Sequence, residues 1–264
     1  MSVEVAVIPA AGRGTRMRPA TRVVPKALIT VVDRPAIQYA VEEAARAGAK
    51  EAVVVVDLDA GHLIAQHFSL GGPLPGLEDI RVRPVVQEEP LGLGHAVYEA
   101  TEMVGDRPFF CLLSDNIVRP GHDVLEEMEA GSRDGSVSVM CLRRYSDDFL
   151  DKYGFVIPTS DVEDSYLDIG GAIEKPGAEN APSNLGLVGR YLFTPEVFSI
   201  LGKTDPGYGG EIQLTDAINE LGSRGRLRGF VAEAELLDTG TPEGLLKASR
   251  VLGAHQFGEA VFES

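Results

Sequence analysis

Short apolar runs recur along the chain, with helix-spaced stretches between them. Residues 3–8 open the series, and residues 53–56 form a β-branched run of the kind that fills a buried strand. Between these runs, residues 35–49 place Ile37, Ala40, Val41, Ala44 and Ala45 at helical spacing, with Gly48 near the end. The same spacing predicts helices over 59–68, 92–103 and 121–131, while alternation over 80–86 and the runs 108–113 and 137–142 predict strands. A β-α-β-α order of this kind predicts an α/β fold, a mainly parallel sheet covered by helices on both faces. The second half is less regular. Strands are expected at 155–158, 171–173 and 187–193, and helices at 212–221 and 242–252. Residues 71–76, Gly-Gly-Pro-Leu-Pro-Gly, read as a rigid surface turn rather than a linker. One domain over residues 1–264 is therefore the expectation.

Ligands of such sheets collect at the carboxyl ends of the strands. On this reading the loop after the first strand, Gln87, Asp115 and the Tyr153-Gly154 segment all lie there. The loop reads Gly12-Arg13-Gly14-Thr15-Arg16-Met17-Arg18-Pro19 and closes on Pro25-Lys26. Arg13, Arg16, Arg18, Arg22 and Lys26 place five cations in it with no carboxylate, in a chain whose net charge is −16. Such a local reversal of charge, on a glycine-rich turn after a strand, suits phosphates met by backbone N–H groups and side-chain cations.

The acidic balance, 40 Asp+Glu against 24 Lys+Arg, argues against a nucleic-acid binder, which needs an extended basic face. No apolar run approaches the roughly 20 residues of a membrane helix. No basic stretch followed by an apolar segment opens the chain, so the cytoplasm is the expected compartment. Cys111 and Cys141 both fall inside apolar segments and are expected as reduced core residues. The five histidines show no metal-ligand spacing.

Gly-x-Gly alone is a weak signal. A dinucleotide fingerprint needs a third glycine where Met17 stands, and a Walker A loop needs a Gly-Lys-Ser/Thr that does not follow. What distinguishes this loop is Gly-x-Gly-Thr-Arg-Met-x-Pro followed by Pro-Lys. Gly12 and Gly14 allow close backbone approach to a triphosphate, and Thr15 adds a hydroxyl. Arg16 and Lys26 can neutralise charge that develops on a leaving pyrophosphate.

With these residues the chain resembles the sugar-1-phosphate nucleotidyltransferases, and most of all the bacterial UTP–glucose-1-phosphate uridylyltransferases. The supporting segments run through almost the whole chain. They are Ala6-Val7-Ile8-Pro9-Ala10-Ala11 with the glycine loop, Pro35-Ala36-Ile37-Gln38-Tyr39, Gly92-Leu93-Gly94-His95-Ala96-Val97, Ile173-Glu174-Lys175-Pro176, Asn184-Leu185-Gly186-Leu187-Val188-Gly189-Arg190-Tyr191 and Glu211-Ile212-Gln213-Leu214-Thr215-Asp216. The fold implied is a Rossmann-like, mainly parallel mixed sheet of the nucleotidyltransferase type, related to the glycosyltransferase-A fold. Residues 1–145 would mainly hold the nucleotide and 146–264 the sugar phosphate.

The implied chemistry is an in-line attack by glucose 1-phosphate on the α-phosphorus of UTP, assisted by Mg²⁺. By resemblance Arg16, Lys26 and Lys175 are catalytic. Ala10, Ala11, Gly12, Gly14, Thr15, Gln87, Pro90 and Gly92 would hold the nucleotide, with the Gln87 amide on the base edge. Gly154, Glu174, Lys175, Gly189 and Glu211 would hold the sugar phosphate. Asp115 and Asp238 would be the Mg²⁺ ligands. Taken alone, each of these aspartates reads equally as a turn or N-cap residue, and Glu174-Lys175 as a solvated surface pair. The partners implied are UTP and a hexose 1-phosphate, without nucleic acid or membrane, and a homo-oligomer such as a dimer.

Four departures stand out. Lys26-Ala27-Leu28-Ile29-Thr30 replaces the family's Lys-Glu-Met-Leu-Pro, and Ser114-Asp115 replaces Pro-Asp. The insertion before the third strand is short. Leu237-Asp238-Thr239-Gly240-Thr241 is nearer to the glucose-1-phosphate thymidylyltransferases. The same reaction with dTTP or another sugar phosphate therefore stays open beside the first reading, as does a non-catalytic binder of nucleotide sugars.

Overall fold

The computed structural model describes residues 2–262. In chain order its strands and helices are β1 (Val5–Pro9), β2 (Thr30–Val31), β3 (Arg34–Pro35), α1 (Ala36–Arg46), β4 (Glu51–Val56), α2 (Gly61–Ser69), β5 (Arg81–Val86), α3 (Leu93–Tyr98), α4 (Thr101–Val104), β6 (Phe109–Leu112) and β7 (Asn116–Val118). These are followed by α5 (Val124–Gly131), β8 (Ser138–Arg144), β9 (Gly154–Pro158), β10 (Tyr166–Glu174), α6 (Gly177–Asn180), β11 (Leu185–Phe193), α7 (Glu196–Leu201), α8 (Leu214–Ser223), β12 (Leu227–Val231), β13 (Leu236–Asp238) and α9 (Pro242–Phe257).

Nine strands form one sheet in the order β5-β4-β1-β6-β11-β8-β12-β10-β9. Seven run in one direction, while β11 and β10 run against them. The expected mixed, mainly parallel α/β sheet is therefore what forms, and it takes strands from both halves of the chain. Strand alternation divides the core between two faces. Ala6, Ile8, Val54, Phe110 and Leu112 face α1, α2 and α5, through Ile37, Val41, Ile64, Leu125 and Met128. Val5, Val7, Val53, Val55, Phe109 and Cys111 face α3, α7 and α8, through Val97, Val197, Leu201, Ile218 and Leu221. Cys111 and Cys141 are buried free thiols in these cores, and burial pushes the Cys111 thiol up to about 12. No described helix is long and apolar enough to cross a membrane.

The order of strands places the site. From β1 the chain moves to one side for β4 and β5, then returns to the other side for β6. This reversal opens a crevice outside the carboxyl ends of β1 and β6.

Three features differ from the pattern read along the sequence. The helix expected over 92–103 is two helices, because the Thr101 hydroxyl donates to Tyr98 O, within the turn that separates α3 from α4. Strands β2, β3, β7, β12 and β13 and the short helices α6 and α7 lie outside the elements expected from the sequence pattern. β7 and β13 are three residues each and exist only by pairing with one another across more than 100 residues of chain. Tyr153-Gly154 lies beside the carboxyl end of β10, where Gly154 pairs with Glu174, rather than following a strand of the parallel set. Gly154 begins β9, and Phe155 pairs with Gly186 at the start of β11, so β9 folds back over the site end of the sheet.

Candidate active site

A cavity of about 510 Å³ lies over the β1–β6 crevice. Pro9, Ala10, Ala11, Gly12 and Arg13 form one wall, and Lys26 and Ala27 another. Gln87, Pro90, Gly92 and Leu93 close a third side, with Leu113, Ser114 and Asp115 after β6, and Glu211. The backbone of the first wall is anchored by Ala10 N, which donates to Val55 O (2.7 Å). Gly12 meets nothing along its Cβ direction, so its backbone borders open space. Gly14 packs its backbone against the Lys26 stem, a Cβ there lying 2.9 Å from Lys26 Cβ. Thr15 and Arg16 follow in a 3-10 turn and do not line the cavity wall.

The carboxylates come next. Asp115 sits in the turn between β6 and β7, and Asp238 is the last residue of β13. Pairing of β13 with β7 sets Asp238 opposite Asn116. Thr239 then clamps the Asp115 backbone twice, its N–H and hydroxyl both donating to Asp115 O (2.7 and 2.9 Å). Gly240 N donates to Asp238 Oδ1 (2.7 Å). A Cβ on Gly240 would lie 2.7 Å from Asp238 Oδ1 and 3.1 Å from both Arg16 Nη2 and Asp115 Oδ2. Absence of a side chain at Gly240 therefore lets two carboxylates and one guanidinium converge from three distant segments. Lys26 Nζ forms an ion pair with Asp115 Oδ2 at the cavity wall.

Among the described residues, no group of three or more His, Cys, Asp or Glu side chains stands ready to hold a metal ion. Asp115 and Asp238 form a pair instead. Two carboxylates beside a phosphate-sized space suit Mg²⁺, which keeps most of its shell for water and substrate phosphates. The residues present fit that ion.

A second group of predicted residues gathers beside the first. Lys175 N donates to Tyr153 O (3.1 Å), and Lys175 Nζ lies 3.4 Å from Glu174 Oε1. Both side chains are exposed, so the plain ion-pair geometry is present together with a backbone bend at Lys175 (φ +47°). A Cβ on Gly154 would lie 3.0 Å from Glu174 Oε2. Tyr153 joins this group to the carboxylates, its hydroxyl donating to Asp238 Oδ2 (3.5 Å). Burial first, and the Asp238 charge second, raise the Tyr153 phenol above its ordinary range. Gly189 (φ +75°) lies behind Asp115, where a Cβ would meet Asn116 Nδ2 at 2.8 Å. Glu211 is set apart from this group and borders the cavity on the Gln87 side.

Gln87 continues from β5, with its N–H donating to Val56 O (2.8 Å). Its side-chain Nε2 donates to Gly92 O (3.1 Å) and lies 3.0 Å from His95 Nδ1. Gly92 needs its φ of +101° to make this loop, and a Cβ there would lie 2.8 Å from Glu211 Cβ.

Sequence reasoning left Arg190 without a role. Its side chain is fully buried and bonds both Glu43 carboxylate oxygens (2.8 to 3.1 Å), Leu113 O (3.1 Å), Gly189 O (3.3 Å) and Asn116 O. Leu113 and Asn116 bracket Asp115, so a buried guanidinium on β11 and a carboxylate on α1 fix the turn that carries it. Arginine inside an apolar β-strand run was the available signal, since such a residue must be paired to be buried. Thr239 and Gly240 were likewise legible only as a motif.

A glycine-rich loop, a carboxylate pair and flanking cations at a switch point of an α/β sheet fit a nucleotide-handling transferase. Residues 5–254 match the model of the Nucleotidyl transferase family, and the chain belongs to that family. Within it, the chain groups with the bacterial UTP–glucose-1-phosphate uridylyltransferases. The Bacillus subtilis strain 168 protein of that name is 35% identical over 261 residues, covering 92% of this chain and 89% of that protein. A solved UDP-glucose pyrophosphorylase complexed with UDP-glucose is 32% identical with a TM-score of 0.87, covering 96% of this chain and 99% of that one. The UTP-bound UGPase of Acinetobacter baumannii is 31% identical with a TM-score of 0.85, covering 99% of this chain and 97% of that one.

Proposed function

We propose that the protein transfers the uridylyl group of UTP to glucose 1-phosphate, giving UDP-glucose and pyrophosphate. The observation that carries this is the meeting of Asp115, Asp238 and Arg16 around Gly240, beside the cavity walled by the glycine loop. A phosphate oxygen of the sugar phosphate forms the new bond to the α-phosphorus. The bond from that phosphorus to the bridging β-oxygen breaks, and its electrons leave with pyrophosphate. The protein's part is positioning and charge neutralisation rather than covalent catalysis. Residues Ala10 to Thr15 receive the triphosphate, and Arg16 and Lys26 offset the charge that gathers on the departing pyrophosphate. Asp115 and Asp238 would hold Mg²⁺, which when bound would withdraw charge from the phosphoryl oxygens.

Lys175 receives the sugar phosphate as a point charge, and Glu174 accepts from vicinal sugar hydroxyls beside the bare backbone of Gly154. Gly189 completes the sugar-phosphate side, and Glu211 reaches toward it from the Gln87 side of the cavity. Gln87, Pro90 and Gly92 bound the base. In this division residues 1–145 mainly serve the nucleotide and 146–264 the sugar phosphate, within one domain. Self-association into a dimer belongs to the same proposal and is read by sedimentation velocity.

The deciding experiment is a pyrophosphate-release matrix with Mg²⁺. It sets UTP, dTTP, CTP, ATP and GTP against the 1-phosphates of glucose, galactose and N-acetylglucosamine. A dominant UTP–glucose 1-phosphate signal is expected. A dTTP-led signal would instead assign a changed base preference to the Leu237–Thr241 segment, and silence across the matrix would end the enzymatic reading.

A further inference from the structure

Gln87 does not stand alone at the base end of the cavity. Behind it lies His95 on α3, and behind His95 lies Glu99, one helical turn on. Glu99 Oε1 is 3.0 Å from His95 Nε2, and His95 Nδ1 is 3.0 Å from Gln87 Nε2. The Gln87 nitrogen also donates to Gly92 O.

The polarity of this chain is determined by its ends. Gly92 O is a backbone acceptor and can face only a donor, so the Gln87 nitrogen, not its oxygen, occupies that side. Glu99 as a carboxylate only accepts, so the imidazole hydrogen must reside on Nε2. Nδ1 is then an acceptor, and it takes the second amide hydrogen of Gln87. Both hydrogens of the amide are committed away from the ligand. The remaining polar atom of Gln87 is Oε1, an acceptor on a residue of the cavity wall.

We infer that His95, held in one tautomer by Glu99, is a positioning residue that fixes the Gln87 amide so that an acceptor meets the base. The inference rests on Gln87 being the residue that reads the base. The class of base it selects carries an imide N–H between two carbonyls, as uracil and thymine do. Cytosine presents a bare ring nitrogen at the same place and would set acceptor against acceptor. A rotated amide would satisfy cytosine but would turn its oxygen onto Gly92 O and His95 Nδ1. Selection against cytosine is thus built behind the pocket wall, in side chains that do not themselves meet the nucleotide.

The test is the ratio of kcat/KM for UTP over CTP. His95→Leu removes the acceptor behind the amide, and the ratio is expected to fall about fivefold or more, through the nucleotide KM, with the KM for glucose 1-phosphate unchanged. His95→Asn retains an oxygen acceptor where Nδ1 stands and is expected to restore the ratio. A purely structural role for His95 would not separate the two nucleotides or distinguish Leu from Asn. An unchanged ratio in His95→Leu overturns the inference. Where Gln87→Ala still collapses the ratio, the base reading of Gln87 survives that failure. Where Gln87→Ala also leaves it unchanged, the base reading fails with it. Should the leucine variant not fold, Glu99→Ala, at the residue that caps α3, takes its place, with a fall expected and an unchanged ratio again overturning. In the intact protein, ¹⁵N spectra should find the His95 hydrogen on Nε2, and a hydrogen on Nδ1 would contradict the chain of bonds.

Discussion

Gly240 shows how much one missing side chain can decide. Any Cβ there would press on the carboxylates of Asp115 and Asp238 and on Arg16 at once. Gly240→Ala is therefore expected to lower kcat by about a hundredfold, the cost of displacing reacting groups by about an ångström, while the melting temperature stays close to that of the parent. A rate within about threefold of the parent would mean the three groups act elsewhere. Asp115→Ala should remove Mg²⁺-supported turnover by about three orders of magnitude without unfolding the chain. Near-normal turnover at saturating Mg²⁺ would remove Asp115 from the metal site. Lys175 is more than half exposed and lies off the cavity wall, so Lys175→Ala should raise the KM for the sugar phosphate first. If the KM for UTP rises instead, the roles of Lys26 and Lys175 are exchanged.

At the level of elements, the site depends on how α1, β11 and the β6–β7 turn lock together. Arg190 spends its guanidinium on Glu43 and on the carbonyls either side of Asp115, with none of its surface exposed. Removing one partner leaves a buried charge unpaired, so Glu43→Ala is expected to cost about 3–5 kcal/mol in urea unfolding. A cost under about 1 kcal/mol would show that the pair is a bystander.

The far end of α9 is tied more lightly. Gln256 Nε2 donates to Asp33 Oδ2 (2.8 Å), and hydrogen bonds from Arg34 and then Gln256 hold the Asp33 carboxyl at about 2, below its ordinary 3.8. Because the folded value is the lower one, this contribution is complete above about pH 4 and disappears as pH falls toward about 2. The stability difference between the parent and Asp33→Asn should shrink over that window, and a difference independent of pH would refute the tie.

Across the whole molecule, β11, β8, β12 and β10 continue one sheet through strands from both halves of the chain without a break. The two halves share one sheet, and each of its two faces carries a core packed against helices. Calorimetry should therefore record one transition, and two resolved transitions would contradict the single-domain proposal. With Mg²⁺ present, UTP at about 100 times its Kd adds about 2.7 kcal/mol, which for a domain of this size raises Tm by roughly 5–10 °C. The same amount of CTP should raise it less.

Much of this was legible along the chain, and the reasons are local. The clearest runs of the first half, those of β1, β4 and α1, form the elements they predict, because each has a buried stripe that one geometry covers. Thr241 and Pro242 mark the start of α9, where the Thr241 side chain accepts from Gly244 N (3.1 Å). The glycine loop and its cations announce phosphate chemistry, since charge reversal and freedom of backbone approach are properties of the residues themselves. Tertiary structure decided the rest. β7 and β13 have no stripe to display and form only when residues more than 100 positions apart pair. That pairing, with the Thr239 clamp, sets Asp238 near Asp115 around Gly240. The Arg190–Glu43 lock and the Glu99–His95–Gln87 chain are likewise matters of which partner faces which. A sequence states which hydrogens and charges are available, but it does not state which acceptor each will meet, and here that pairing brings Asp115 to Asp238 and sets the polarity of the Gln87 amide.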